Sequence, residues 1–213
     1  MCATTTTEEA LQMVTADLAA LRQAGASRVL VGITGPPGAG KSTFAETLVR
    51  TLGAAYVPMD GFHLSNVQLR RLGRHDCKGA TDTFDVDGYV VTLARIAQAY
   101  RQADVYVPGF DRAIEEPVAA THVVPADAGL VVTEGNYLGL DQPGWRAVRP
   151  LLQRLYYVDC PAAVRGERLV ARHVAGGRSL ADAQKWADEV DEPNAVLIAT
   201  TAAGCDRVFE IDE

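Results

Sequence analysis

The chain has 213 residues, of which 48% are hydrophobic and 22% are charged, and its formal net charge is −7 at pH 7. These values are typical of a globular protein with a sizeable core, and we expect a single domain over residues 1–213. The negative charge argues against general nucleic-acid binding, which needs a basic surface. No apolar run approaches the roughly 20 residues that span a bilayer, so we expect no membrane insertion.

The N-terminus and the cysteines indicate a cellular compartment. The N-terminus lacks the basic start and the apolar stretch of a signal peptide. The four cysteines are far apart and form no CxxC pair, which disfavours a zinc site or a disulfide framework; they are Cys2, Cys77, Cys160 and Cys205. We therefore expect a cytoplasmic protein with reduced cysteines.

An amphipathic helix is predicted at the N-terminus, within residues 1–25. Thr6 and Glu9 have the spacing of a capping box. Apolar residues then recur at helical spacing, and Gly25 is a suitable stop. We expect this helix to pack on the body of the domain and to carry no chemistry.

Short apolar runs rich in β-branched residues alternate with helical patterns along the rest of the chain. Such a run predicts a strand that is buried on both faces of a sheet. The predicted strands cover residues 28–34, 54–60, 103–108, 128–135, 154–160 and 206–212, with a short edge strand at 121–124. Helices are predicted after the first strand, over 89–102 and over much of 161–199. This alternation predicts an α/β fold with a mainly parallel sheet and helices on both faces.

The segment GPPGAGKS, residues 35–42, fits the pattern G-x-x-x-x-G-K-[ST] and lies between a predicted strand and a predicted helix. Its glycines can adopt backbone angles that are closed to other residues, so successive amides can form an anion nest. Lys41 adds a positive charge for the outer phosphates, and Ser42 offers a hydroxyl to Mg²⁺. We predict a three-layer P-loop NTPase fold with an ATP site formed by Gly35, Pro36, Pro37, Gly38, Ala39, Gly40, Lys41, Ser42 and Thr43. The motif indicates a nucleoside triphosphate but not what is done to it.

Three predicted strands end in an acidic residue, and parallel strands bring such residues to one edge of the sheet. Asp60 and Glu134 are each followed by a turn, which favours a chemical role, although a buried carboxylate that accepts backbone amides is an equal alternative for either one. Asp159 precedes Pro161, and we expect it to cap a helix. Since a P-loop kinase needs a carboxylate near Mg²⁺ and a base near the acceptor hydroxyl, Asp60 and Glu134 are the candidates for these roles.

Arginines recur on one face of a predicted helix within residues 161–180. Arg165, Arg168 and Arg172 fall at i, i+3 and i+7, and Arg178 follows two glycines. A solvated face is one interpretation. Beside a P-loop we favour a lid, over about 161–180, that brings arginines to the transferring phosphate.

A second basic segment follows Asp60 and consists of Arg70, Arg71, Arg74, His75 and Lys78. It either covers an acceptor site or forms a solvated loop. His63 and His122 are isolated, and we expect ordinary hydrogen-bonded histidines at both positions.

Six segments carry a pattern that extends beyond the P-loop. They are GPPGAGKST, PMDGFHLS, KGATDTFDVDGY, VPGFDRAIEEP, VVTEGNYL and VDCPAAVRGERLVARH. Together they resemble the phosphoribulokinase/uridine kinase family of P-loop kinases over nearly all of residues 28–200. Within that family the sequence is similar to a bacterial group labelled nucleoside/nucleotide kinase-like or fructose transport system kinase.

The resemblance implies roles for the catalytic positions. Asp60 matches the base toward the acceptor hydroxyl. Glu134 matches the metal-associated carboxylate, where an aspartate is more common. Arg168 and Arg172 match the lid arginines, which act with Lys41 on the transferring group.

The resemblance also implies binding positions. Phe110, Asp111 and Arg112 match a segment that lines the acceptor site, and we assign His63 and Glu116 to the same pocket. Asn194 lies in a segment that resembles one near the nucleotide base in the pantothenate kinase branch.

The sequence therefore predicts an ATP- and Mg²⁺-dependent kinase that phosphorylates a hydroxyl of a small, sugar-like acceptor. Uridine kinase has a base-contacting histidine a few residues after the acceptor segment, and residues 113–116 are Ala, Ile, Glu and Glu instead, which weakens the case for a nucleoside. A pantothenate or nucleoside kinase remains an alternative, and so does a nucleotide-binding regulatory or transport-associated protein. A homodimer is compatible with such a fold.

Overall fold

Between residues 5 and 211, which a computed structural model describes, the chain forms seven strands and seven α-helices. The strands are β1 (Val29–Thr34), β2 (Ala55–Pro58), β3 (Val105–Asp111), β4 (Glu116–Val124), β5 (Leu130–Glu134), β6 (Arg154–Asp159) and β7 (Arg207–Glu210). The helices are α1 (Thr7–Gln23), α2 (Lys41–Leu52), α3 (Asn66–Leu72), α4 (Val86–Gln98), α5 (Ala162–Ala175), α6 (Leu180–Trp186) and α7 (Glu192–Ala199). Cys2, the first four residues of the predicted N-terminal segment and the end of the last predicted strand lie outside the described residues.

Five strands form one sheet in the order β2-β5-β1-β6-β7, and every neighbouring pair is parallel. The predicted α/β fold with a mainly parallel sheet is confirmed. Glu134, the last residue of β5, is in register with Ile33 of β1 and with Pro58 of β2. Because all five strands run the same way, the segments that follow them meet at one edge of the sheet.

The prediction that residues 103–108 form a doubly buried strand is wrong. β3 and β4 instead pair antiparallel as a separate hairpin. Val105 and Val107 are buried, but Tyr106 between them is 63% exposed, so only one face of β3 packs on the protein. The short edge strand predicted at 121–124 is the end of the nine-residue β4. A short apolar run does not show whether one face or both faces of its strand are covered.

The core lies on both faces of the sheet, because successive side chains of a strand point to opposite sides. Val31 and Ile33 pack with α1 and α2 on one face. Leu30 and Val131 pack with α4 and α7 on the other face. Helices thus pack on both faces of the sheet around the buried strand β1, as the three-layer prediction requires.

One helical prediction needs correction, and a second is confirmed with internal breaks. The helix predicted over 89–102 begins earlier, at Val86, because the Asp85 carboxylate accepts the Gly88 amide at 3.0 Å. The region predicted as largely helical over 161–199 is divided into α5, α6 and α7, with a π-helical turn at 187–191 before α7. The capping box of Thr6 and Glu9 is present as predicted.

Asp159 does not cap α5, which corrects another prediction. The residue before the helix is Pro161, and the Asp159 carboxylate accepts the Cys160 amide at 2.9 Å. A capping side chain reaches the first helical amides from the position next to the helix, and Asp159 is too early. Within the described residues, Cys77, Cys160 and Cys205 are free thiols, and no helix there is both long and apolar enough to cross a membrane.

Candidate active site

A cleft of about 780 Å³ opens at the carboxyl edge of the parallel sheet. We call one wall the donor half: it consists of the phosphate loop, the start of α2 and the arginines of α5. The acceptor half consists of side chains from the turn after β2, the loop before α4 and the β3–β4 hairpin. The residues of this half that line the cleft are Asp60, His63, Lys78, Gly79, Phe84, Phe110, Arg112 and Glu115.

The phosphate loop depends on glycines at positions where a side chain would not fit. Gly35 has φ +146°, and a Cβ there would lie 2.0 Å from the Val158 carbonyl oxygen. Gly38 has φ +78°, and a Cβ there would meet the backbone of α5 at 2.9 Å. α2 begins at Lys41 with Gly40 as its N-cap, which has no side chain to satisfy the first amides. The uncapped helix start and the tight loop form a nest for an anion.

Lys41 is the buried cation of the donor half. Its side chain turns back over the loop, and Nζ donates a hydrogen bond to the Pro36 carbonyl oxygen at 2.8 Å. Burial lowers the pKa of Lys41 to about 8, although the nearby Glu134 and Asp60 oppose this effect. A bound phosphate would supply the negative charge that the buried ammonium lacks.

Glu134 is a buried carboxylate at the end of β5. The Tyr56 hydroxyl donates a hydrogen bond to Glu134 Oε1 at 3.0 Å. Burial, followed by the charge of Asp60, raises the pKa of Glu134, while Lys41 and the Tyr56 hydrogen bond oppose the rise. A cation beside the carboxylate would favour its ionised form.

The donor set fits a magnesium ion. Ser42 is exposed at the start of α2 and, like Glu134, lines the cleft, so a hydroxyl and a carboxylate oxygen face the same space. No group of three histidine, cysteine or acidic side chains within residues 5–211 could hold a metal on its own. Mg²⁺ is commonly held by only one or two protein oxygens, with water and phosphates as the other ligands.

Asp60 lies in a 3₁₀ turn, Met59–Phe62, that follows β2. The hairpin packs so closely on this turn that a Cβ on Gly61 would lie 2.3 Å from the Pro108 carbonyl oxygen. Arg112 of the hairpin donates to Asp60 Oδ2 at 3.1 Å and forms an ion pair with it. The hairpin thus positions the carboxylate that faces the donor half.

His63 is part of an aromatic wall beside Asp60. Its ring centroid lies 4.0 Å from that of Phe84 and 4.9 Å from that of Phe110. Burial lowers the pKa of His63, so the ring is neutral near pH 7. Nδ1 lies 2.8 Å from the Asp60 carbonyl oxygen and therefore carries the proton, which leaves Nε2 as an acceptor.

The arginines of α5 have different surroundings. Arg168 and Arg172 line the cleft. Arg165 is buried instead and lies 3.8 Å from a carboxylate oxygen of Glu192. Leu169 packs against Gly38 of the phosphate loop, so the middle of α5 is in direct contact with the donor half.

Comparisons with known proteins identify the family. The model of the phosphoribulokinase/uridine kinase family matches residues 30–196. The chain belongs to this family. A Schizosaccharomyces pombe protein named "putative uridine kinase" is 33% identical over 161 residues, which cover 70% of this chain and 68% of that protein. The Escherichia coli protein YggC is 33% identical over 194 residues, which cover 87% of this chain and 79% of YggC.

A solved structure of similar sequence supports the same conclusion. A crystal structure named "putative fructose transport system kinase", from Silicibacter sp. TM1040, superposes with a TM-score of 0.79 at 34% identity. The match covers 86% of this chain and 90% of that chain. The protein is therefore a P-loop kinase, a phosphotransferase that uses ATP, as the sequence predicts.

Most of the sequence-predicted site residues of this kinase line the cleft. They are Pro37, Gly38, Gly40, Lys41, Ser42, Thr43, Asp60, His63, Phe110, Arg112, Glu134, Arg168, Arg172 and Asn194. Gly35, Pro36 and Ala39 belong to the loop but are buried beneath its surface.

Two predicted acceptor residues do not line this cleft. Asp111 accepts the Ala113 amide at 2.8 Å and stabilises the hairpin turn. Both carboxylate oxygens of Glu116 accept the Asn66 amide, at 3.0 and 3.1 Å, at the start of α3. Neither side chain lines the cleft, because the hairpin turn directs both of them to other backbone amides.

Several cleft residues could not be singled out from the sequence. Lys78 was one member of a basic segment with two interpretations, and it alone of that segment lines the cleft. Glu115 precedes the predicted Glu116, and Trp186 lies beneath Arg178, whose guanidinium carbon is 3.7 Å from the ring centroid. Glu115 lies in the hairpin turn at φ +53°, outside β4, and no periodic pattern separates it from Glu116.

Proposed function

We propose that this kinase transfers the γ-phosphoryl group of ATP to a hydroxyl of a small, sugar-like acceptor. The observation that carries the proposal is that Asp60 and Lys41 line one cleft. The phosphate nest is on one wall, and a carboxylate from the turn after β2 is on the other. A kinase needs this pair of features, because the phosphate must be held while a hydroxyl is oriented toward it.

Asp60 acts as the base. The acceptor oxygen forms a bond to the γ-phosphorus while the bond from that phosphorus to the β–γ bridging oxygen breaks. The acceptor proton goes to the Asp60 carboxylate, and ADP leaves with the bridging oxygen. Arg112 holds this carboxylate in place before the acceptor binds.

The donor half stabilises the charge of the transferring group. The loop amides and Lys41 bind the outer phosphates, and Arg168 and Arg172 approach from α5. Ser42 and Glu134 are the residues that would hold Mg²⁺, which neutralises phosphate charge when it is bound. Tyr56 orients the Glu134 carboxylate for this role.

Two features support a polyol acceptor. Asp60 and His63 Nε2 present hydrogen-bond acceptors to hydroxyl groups, and Phe110 offers a flat apolar surface beside them. The name of the similar Silicibacter protein refers to fructose transport, which points in the same direction. Pantothenate and nucleosides also carry primary hydroxyls and are the alternative acceptors.

An acceptor panel tests the proposal. Purified protein is incubated with ATP, Mg²⁺ and one candidate from a set of polyols, sugars, nucleosides and pantothenate, and ADP and phosphorylated product are measured. We expect acceptor-dependent turnover with a polyol. Turnover only with pantothenate or a nucleoside would select the alternative kinase, and ATP binding without any acceptor-dependent turnover would favour a regulatory protein.

Three expectations beyond the chemistry remain proposals. The segment 161–180 closes over the cleft when ATP binds, the protein forms a homodimer, and it acts in the cytoplasm. Protection of α5 in amide exchange with an ATP analogue tests the first, and sedimentation equilibrium tests the second. Imaging of the tagged protein in cells tests the third.

A further inference from the structure

Two cations of the acceptor half surround one aromatic ring. Lys78 Nζ lies 5.0 Å from the centroid of the Phe110 ring, and the guanidinium carbon of Arg112 lies 5.8 Å from it. All three side chains line the cleft. The two cations come from different segments, the loop before α4 and the hairpin, so the fold brings them together.

Lys78 is held by neutral groups. Its ammonium donates to Asn66 Oδ1 at 2.8 Å and to the Glu115 carbonyl oxygen. It forms no ion pair with any carboxylate of residues 5–211. Glu116 is the nearby acid whose charge acts most on Lys78, and both of its oxygens are bound to the Asn66 amide. The ammonium is thus positioned by neutral groups, and Glu116 and Glu115 act on it without a direct ion pair.

Arg112 has a carboxylate partner that the reaction also needs. Its ion pair with Asp60 is the contact that positions the proposed base. When Asp60 accepts a hydrogen bond from an acceptor hydroxyl, the planar guanidinium still has other N–H groups to donate. A second anion beside Arg112 would use them.

We propose that the acceptor carries an anionic group, a carboxylate or a phosphate, which Lys78 and Arg112 bind beside Phe110 while a hydroxyl of the same molecule faces Asp60. This inference rests on the proposed function and restricts it to acidic or phosphorylated polyols. Glu115, exposed on the same wall, and Asp60, the proposed base, are the acidic side chains there whose charge opposes such a ligand. Lys78 and Arg112 together form an anion clamp that selects for charge.

Matched acceptors test the inference on the unmodified protein. Ribitol, ribonate and ribitol 5-phosphate share a carbon chain and differ in one terminal group, and sorbitol, gluconate and sorbitol 6-phosphate form a second set. ATP consumption is measured with each. We expect kcat/KM for an anionic member to exceed that of its neutral partner by at least about tenfold, as a charged hydrogen bond predicts. The anionic member with the higher kcat/KM shows whether the site prefers a carboxylate or a phosphate.

A variant without the positive charge tests the role of Lys78. Lys78→Gln keeps hydrogen-bond donors for Asn66 and Glu115 and removes the charge. We expect KM for the anionic acceptor to rise about tenfold or more, while KM for ATP changes less than about twofold. Arg71→Gln is the matched control, because Arg71 belongs to the same basic segment but is exposed, contacts Gln68 and does not line the cleft.

Ionic strength gives a second readout that needs no variant. KM for the anionic acceptor should rise with added salt, because salt screens the charges of Lys78 and Arg112, which are accessible to solvent. KM for a neutral polyol should not change. Equal or better turnover of the neutral members would overturn the inference and leave the proposed function intact. No ATP consumption with any acceptor would contradict the proposed function itself, and the inference with it.

Discussion

The donor and acceptor halves of the cleft are built in different ways. The donor half comes mainly from one continuous stretch, residues 35–43, whose backbone forms the binding surface. The acceptor half is assembled from side chains of three separate segments, which contribute Asp60, Lys78 and Arg112 among others. A backbone nest recognises any phosphate, whereas the choice of acceptor depends on side chains that each segment can vary.

The two halves also differ in how they are supported. The phosphate loop is clamped between β6 and α5, and neither Gly35 nor Gly38 has room for a Cβ. The hairpin of the acceptor half packs on one face only, and its turn contains Glu115 at φ +53°, in the left-handed region. Changes in the donor half should therefore affect chemistry and stability together, and changes in the hairpin should affect the acceptor more selectively.

The largest effect is expected for Asp60, the carboxylate of the acceptor half that faces the donor half. Asp60→Asn should lower kcat by about 10²–10⁴, because the base is lost. The dissociation constant for ATP should change little, since the phosphate nest remains. Steady-state kinetics and calorimetric ATP titration measure the two quantities.

Asp111→Asn is the matched control for Asp60→Asn. Asp111 precedes Arg112, the hairpin residue that pairs with Asp60, and an asparagine oxygen at position 111 can still accept the Ala113 amide. It should retain nearly full activity. Unchanged turnover in Asp60→Asn would remove Asp60 from the mechanism.

The buried cation of the donor half gives the next effect. Lys41→Met should lower kcat/KM by about 10²–10³, as for loss of one charged group that stabilises a transition state. The loss should appear with every acceptor, since Lys41 serves the phosphates. A defect that appears with only one acceptor would show that Lys41 serves the acceptor and not the phosphates of ATP.

The same variant should be more stable than the natural protein in the absence of ATP. The folded-state pKa of Lys41, about 8, is below the ordinary 10.5, so the unfolded state binds more protons between these values and stability rises with pH there. The shift corresponds to roughly 3 kcal/mol. After loss of the Pro36 hydrogen bond, Lys41→Met should gain about 2 kcal/mol at pH 7.

Urea unfolding of ATP-free protein at several pH values measures this gain. It should be full below pH 8, should fall as the pH rises from 8 to 10.5, and should be lost above 10.5, where lysine becomes neutral in both states. A variant that is less stable at pH 7, or a gain that does not depend on pH, would show that Lys41 is not strained by burial.

A smaller effect is expected for the arginines of α5. Arg172→Gln should lower kcat by about 10- to 100-fold, less than the change at Lys41, because Arg168 lines the same cleft from the same helix face. Arg95→Gln, an exposed arginine of α4 outside the cleft, is the control. Equal kinetics in the two variants would assign Arg172 to a solvated surface.

The smallest effect is expected for Tyr56, which donates a hydrogen bond to Glu134, the proposed metal-binding carboxylate. Tyr56→Phe removes the hydroxyl that donates to Glu134 Oε1, and the half-saturating Mg²⁺ concentration should rise about tenfold. At saturating Mg²⁺ the turnover should recover most of its natural value. Tyr106→Phe, on the exposed face of β3, is the control, and an identical Mg²⁺ requirement in both variants would contradict the positioning role of Tyr56.

The sequence predicted the donor half better than the acceptor half. The motif at residues 35–42, the parallel sheet and the two carboxylates Asp60 and Glu134 at its edge were all evident from local patterns. The hairpin was not, because the run at 103–108 looks the same whether one face or both are buried. Glu115 lines the cleft and the predicted Glu116 does not, because the directions of these side chains depend on the conformation of the hairpin turn, where Glu115 has φ +53°.

The sequence by itself determined that this chain forms a parallel sheet with a phosphate-binding loop. Those features depend on short-range backbone preferences and on hydrophobic spacing, which neighbouring residues specify. Only the tertiary structure decided that Lys78 and Arg112, 34 residues apart in number, share the Phe110 ring and that Arg165 is buried away from the cleft. Such contacts arise from the packing of the hairpin and of α5, which no local pattern encodes.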